Sequence, residues 1–154
     1  MMYDAAVETR PVEEQFVRDN ELFQRQLDYL LQHSEFYQAK LAAVGITSAQ
    51  DINGLEDIGR LPFTEKDEIR ATQANCPPYG AHLAVDPTQL RRVFSTSGTT
   101  GVPCYLGLTQ SDLDMYATNV ARGYTAAGFR PGQSVVVGFN AGPFVAGGVY
   151  YGFD

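Results

Sequence analysis

Cysteine is scarce in this chain: Cys76 and Cys104 are the only two among 154 residues, and they show no C-x-x-C spacing. That excludes a disulfide framework and points to a reducing compartment. No histidine lies near Cys104 in sequence, so a small apolar strand residue is favoured there over a nucleophile. The two histidines, His33 and His82, stand in no recognisable catalytic arrangement. Positive charge is also short, with 11 Lys and Arg against 18 Asp and Glu, a formal net charge of −7. The excess is uneven: residues 1–75 carry fourteen acidic and seven basic side chains, and residues 76–154 carry four of each. Such a balance argues against nucleic acid and anionic membrane as partners, and the acidic half reads as a solvated helical face. No apolar run reaches the ~18 residues of a membrane helix, and no basic stretch followed by an apolar core opens the chain, so a cytoplasmic protein is expected. Internal repeats and low-complexity tracts are absent.

What is present is a composition, 44% apolar and 12% aromatic, that suits one globular domain with a sizeable core. Its most informative stretch is Ser95-Thr96-Ser97-Gly98-Thr99-Thr100-Gly101-Val102-Pro103. Glycines let backbone N–H groups approach an anion closely, and the hydroxyls of Ser97, Thr99 and Thr100 can wrap phosphate oxygens. On composition alone an ordinary turn is the favoured reading, and it is the order and surroundings of the run that shift the weight. The run sits between two strand-like segments, Arg91 to Phe94 and Cys104 to Leu108. A kinase or GTPase P-loop needs Lys and then Ser or Thr after the second glycine, whereas Val102 and Pro103 follow Gly101. Because the surrounding half is neutral, phosphate binding there must rely on aimed N–H and hydroxyl groups rather than on a positive field.

Elsewhere Phe16, Phe23, Leu27, Leu30, Tyr37 and Leu41 recur at helical spacing, predicting one helical stripe from Val12 to Leu41 that Gly45 ends. A short helix follows around Ser48 to Asn53, and Thr64-Glu65-Lys66-Asp67 approximates a capping box for another. Lys66, beside Glu65 and Asp67, reads as a member of a surface ion pair. The segment Asn75 to Ala81 reads as a loop. Thr109-Gln110-Ser111-Asp112 is a second capping box, starting a helix that places Leu113, Tyr116, Val120, Tyr124 and Ala127 on one face and closes at Gly128. After the turn at Arg130-Pro131-Gly132, the valines of Ser134 to Phe139 suit a strand buried on both faces. The expected fold class is α/β: an N-terminal helical cap over residues 1–75, then, over 76–154, the first part of a mixed or parallel sheet with flanking helices. An unfinished sheet leaves apolar surface and an unpaired edge, so limited solubility or pairing with another chain is expected.

The order Thr96 to Pro103 resembles the phosphate-binding loop of the adenylate-forming enzymes, the superfamily of acyl-CoA synthetases, adenylation domains and luciferases. Leu61-Pro62-Phe63-Thr64-Glu65-Lys66-Asp67-Glu68-Ile69-Arg70 is similar to an element of phenylacetate-CoA ligases, as are Gly128-Phe129-Arg130-Pro131-Gly132 and the run Phe139 to Tyr151. The resemblance covers roughly residues 15 to 154. It implies that this is an N-terminal piece of an ATP-dependent acyl- or aryl-CoA ligase, carrying the start of the AMP-binding domain. Within it Ser97, Gly98, Thr99, Thr100 and Gly101, and more loosely Thr96, would hold the ATP phosphates with Mg²⁺. Phe144 and Tyr151 would line a pocket for an aromatic carboxylic acid, unless those rings simply pack in the core. CoA, or a carrier protein, would accept the acyl group. The segments that in relatives supply adenine, ribose, Mg²⁺ and catalytic-lysine contacts lie beyond Asp154, so no catalytic or metal residue is assigned and the piece alone is expected to be inactive. Many superfamily loops carry a lysine after the proline, or one just before it, where this chain has Cys104 and Val102. That departure keeps open a second reading, a non-catalytic truncated paralogue or partner-binding module, either as a homodimer or in association with the remainder of the domain.

Overall fold

The computed structural model describes residues 2–96 and 103–136. Its helices are α1 (Ala5–Glu8), α2 (Val12–His33), α3 (Glu35–Ala42), α4 (Lys66–Asn75) and α5 (Gln110–Ala126), and its strands are β1 (Arg92–Ser95) and β2 (Tyr105–Leu108). Short 3₁₀ turns occupy Ala49–Asp51, Leu55–Arg60 and Pro87–Gln89. Two compact units are formed, one of Pro11–Asp86 and one of Met1–Arg10 with Pro87–Asp154. The architecture is the expected mixture of a helical segment followed by the start of a sheet with a flanking helix.

In the unit Pro11–Asp86 the helical stripe divides. Ser34 adopts extended backbone (φ −124°, ψ 108°), ends α2 and caps α3 by accepting from the Tyr37 N–H. The single helix expected from Val12 to Leu41 is therefore two. The stripe survived the break in sequence because it brings Leu27 and Leu41 to one core with Ile46, Ala49 and Ile52, flanked by Phe23, Leu31, Tyr37 and Leu61. Phe16 of the same stripe is instead exposed. Polar side chains lace the turns to α2: Gln24 Nε2 donates to the Ile52 carbonyl at 2.7 Å, and the Leu55 N–H donates to Asn20 Oδ1 at 2.8 Å.

Helix α4 starts at Lys66 with Glu68 Oε2 accepting from the Glu65 N–H, one residue later than the expected box at Thr64–Asp67. Lys66 is exposed, and the ion pairs run elsewhere: Asp67 pairs with Arg70, and Glu68 with Lys40 of α3, whose ammonium also lies 5.6 Å from the Phe36 ring centre. Of the loop expected over Asn75 to Ala81, Asn75 instead ends α4, and residues 76–81 form the loop.

The second unit contains β1 and β2, paired antiparallel with Arg92 opposite Leu108 and Ser95 opposite Tyr105. Gly107 is where Leu90 crosses β2, since a Cβ there would meet Leu90 Cδ2 at 2.8 Å. Helix α5 opens on the expected box, Thr109 N–H donating to Asp112 Oδ2 at 2.8 Å and Asp112 N–H to Thr109 Oγ1 at 3.3 Å. It closes at Gly128 with φ +102°. Its Leu113 is buried while Tyr116 is exposed, so the inward face is narrower than the spacing suggested. Arg122 reaches Glu8 at 3.5 Å, tying α1 to α5. Of the strand expected at Ser134 to Phe139, residues 134–136 form no strand, with Val136 96% exposed, and residues 137–139 lie outside the described residues. The pairing seen is antiparallel, the arrangement a mixed sheet allows.

Candidate functional site

The hydroxyl-rich run joins β1 to β2, which makes it the connection of a β-hairpin. The strand residues alternate faces, and at the end of β1 Ser95 is buried while Thr96 is half-buried on the opposite face. Across the mouth, the Thr96 N–H donates to the Cys104 carbonyl at 2.9 Å and the Cys104 N–H donates to Thr96 Oγ1 at 3.0 Å. Cys104 is 3% exposed and its thiol is free. The two ends of the run, Thr96 and Cys104, are thus held one hydrogen bond apart. An apolar Cys104 at the closing pair anchors the return strand in the interior. A small uncharged side chain suits so buried a position, where an ammonium would be costly.

Of the residues singled out in sequence, Thr96 lies within the described structure. Ser97, Gly98, Thr99, Thr100 and Gly101 fall outside the described residues, as do Phe144 and Tyr151. The Ser95 hydroxyl is buried with no hydrogen-bond partner among the described residues, a group the sequence reading did not single out. Arg92, at the far end of β1, lies with its guanidinium 5.7 Å from the Phe94 ring centre. Among the described residues no group of three or more His, Cys, Asp or Glu is placed to hold a metal ion. Among them, too, no helix is long and apolar enough to cross a membrane.

A second polar cluster sits in the unit Pro11–Asp86. Ser34 is fully buried, and its hydroxyl lies 3.3 Å from the Ala81 carbonyl and 3.4 Å from that of His82. Thr72 Oγ1 donates to the Ile69 carbonyl at 2.9 Å and meets His82 Nδ1 at 2.9 Å. With its one proton given to Ile69, the Thr72 hydroxyl accepts from His82, which assigns the Nδ1–H tautomer. Burial lowers the His82 pKa below 6.5. The Ser34 hydroxyl and the Thr72–His82 contact thus tie the chain at Ala81 and His82 to the start of α3 and to α4.

No family model matches the chain. It is 36% identical over 147 residues, 96% of its length, to the phenylacetate-coenzyme A ligase of Thermus thermophilus, and 32% identical over 149 residues to that of Escherichia coli K12. These matches take in 32% and 33% of the two relatives, so the chain spans about a third of the length of the curated relatives it matches. Among solved structures, 2-hydroxyisobutyryl-CoA ligase in complex with 2-HIB-AMP and CoA superposes with a TM-score of 0.79 and 31% identity, over 85% of this chain and 28% of that one. An open conformation of the same ligase, also with 2-HIB-AMP and CoA, gives a TM-score of 0.73 over 80% of this chain. A hairpin with the Thr-Ser-Gly-Thr-Thr-Gly-x-Pro connection, together with these similarities in sequence and fold, places the chain in the adenylate-forming superfamily, among its phenylacetate-CoA ligase-like members.

Proposed function

We propose that this chain carries the phosphate-gripping part of an AMP-forming carboxylate-CoA ligase. The observation that supports this most is the closed hairpin mouth, Thr96 to Cys104, which brackets Ser97, Gly98, Thr99, Thr100 and Gly101 in the chain. Backbone N–H groups freed by the glycines and the three hydroxyls would grip the β and γ phosphates of ATP and hold the α-phosphorus in line with an attacking carboxylate. Attack gives an acyl-adenylate and pyrophosphate, and CoA thiolate then displaces AMP to form a thioester. Mg²⁺ would enter as the counter-ion of the polyphosphate. The acid is aromatic in this reading, with Phe144 and Tyr151 in its pocket, and the partners are small molecules in the cytoplasm. Residues 1–75 serve as a helical cap and 76–154 as the start of the AMP-binding domain, which needs polypeptide equivalent to the rest of the relatives for turnover.

The test is a chimaera in which this chain replaces the matched segment of the Thermus thermophilus ligase, assayed by acid-dependent ATP–pyrophosphate exchange across aryl and alkyl acids. Exchange is expected in the chimaera and not in the 16.9 kDa chain alone. Gly98→Val, which crowds the polyphosphate, should reduce exchange at least a hundredfold, on the order of the loss when a transition-state donor is removed. A folded chimaera without exchange would favour the non-catalytic paralogue, for which the absent loop lysine at Val102 and Cys104 speaks.

A further inference from the structure

We infer that Thr96 is a positioning residue for the hydroxyl-rich run rather than a phosphate ligand: its side-chain oxygen replaces its own carbonyl as the acceptor for Cys104 and so ties the two ends of the run together. The inference rests on the phosphate-loop reading above. Continuing the register of Ser95 opposite Tyr105 puts Thr96 opposite Cys104. In a hydrogen-bonded antiparallel pair the two residues exchange both N–H···O=C bonds. Here one bond is of that kind, Thr96 N–H to the Cys104 carbonyl at 2.9 Å. The other runs from the Cys104 N–H to Thr96 Oγ1 at 3.0 Å.

That substitution ends the ladder without parting the strands. Cys104 stays tied to the end of β1 through both bonds, one of them to a side chain rather than to the backbone. Serine or threonine alone among neutral side chains offers a hydroxyl acceptor this close to the backbone, and the β-branch of threonine restricts χ1 and so holds the oxygen in place. Cys104, 3% exposed, supplies the buried counterpart that keeps the return strand from sliding. A lone pair of Thr96 Oγ1 is thereby directed at the sheet, which separates its role from that of Ser97, Thr99 and Thr100.

Amide hydrogen exchange at Cys104, measured by NMR on the wild-type chain, Thr96→Ser and Thr96→Val, is read beside titration with inorganic pyrophosphate and Mg²⁺. The Cys104 amide should be protected in the wild type and in Thr96→Ser, and should exchange about tenfold faster in Thr96→Val. Pyrophosphate affinity should follow the same order, near wild type in the Ser variant and about tenfold weaker in the Val variant. Equal protection in all three proteins overturns the inference, as does weaker pyrophosphate binding in Thr96→Val with Cys104 protection unchanged, the signature of a direct ligand. An unprotected Cys104 amide in the wild type overturns it whatever the fate of the Val variant. Absence of pyrophosphate binding by the wild-type chain overturns the phosphate-loop reading, and the positioning role with it, while the exchange pattern still reports the clamp separately.

Discussion

Single residues carry two of the tightest constraints in this chain. Gly54 has φ +103°, and a Cβ there would meet Asn20 Oδ1 at 1.9 Å, the atom that accepts from the Leu55 N–H. Gly54→Ala therefore strains the backbone and displaces Asn20 together, and should destabilise the protein by about 1–3 kcal/mol, read as a lower thermal midpoint. A midpoint equal to wild type would show that Asn20 can move freely. Cys104 invites the opposite experiment, because sequence alone suggests restoring the loop lysine there. At 3% exposure a lysine must bury its ammonium or push the strand end outward. Cys104→Lys is accordingly expected to lose several kcal/mol of stability in chemical denaturation and to gain no nucleotide affinity. Tighter ATP binding with unchanged stability would mean that the side chain escapes to the loop.

At the level of elements, titratable groups connect helix to helix and loop to loop, and they give stability a definite pH dependence. The Glu68 carboxyl is held below its usual 4.5, chiefly by the Lys40 ammonium of α3 and next by the Glu65 N–H. Thr47 and Ser48 N–H groups lower Asp51 in the same way, and the Asn53 N–H lowers Asp57. A carboxyl depressed on folding contributes stability above its unfolded pKa and loses it as pH falls through the folded value. His82, lowered by burial, adds to the same direction, since the unfolded chain takes up its proton first as pH drops below 6.5. Thermal midpoints should thus decline in two stages on acidification, first below about 6.5 and again below about 4.5. His82→Gln should flatten the first stage and Glu68→Gln the second. Midpoints that rise on acidification would reverse the assigned signs.

For the whole molecule, the decisive feature is what lies uncovered in the hairpin unit. Leu106 is 48% exposed, Met115 61% and Val136 96%, in a chain that spans about a third of its relatives. A two-stranded antiparallel pair is marginal by itself, and its edges and apolar faces invite more strands. Concentration-dependent self-association is expected in sedimentation velocity, and it should disappear in the chimaera, where relative-derived polypeptide covers that surface. A chain that stays monomeric at high concentration would show that these side chains are tolerated in water.

Sequence by itself determined the local parts. The Thr109–Asp112 box, the turn at Gly128, the strands on either side of the hydroxyl run and the superfamily resemblance were legible, because each depends on neighbours a few residues apart. The break at Ser34 left only a weak mark, a serine followed by glutamate, since the same apolar spacing serves one long helix or two helices meeting one core. Tertiary structure alone decided which carboxylate Lys40 meets across 28 residues of chain, why Thr72 needs His82, and that Cys104 faces inward. It also decided that Thr96 ties its hydroxyl to the return strand, a bond eight residues apart that only strand register can bring together. Local chemistry is written in the order of residues, whereas burial and pairing exist only once distant segments compete for the same interior.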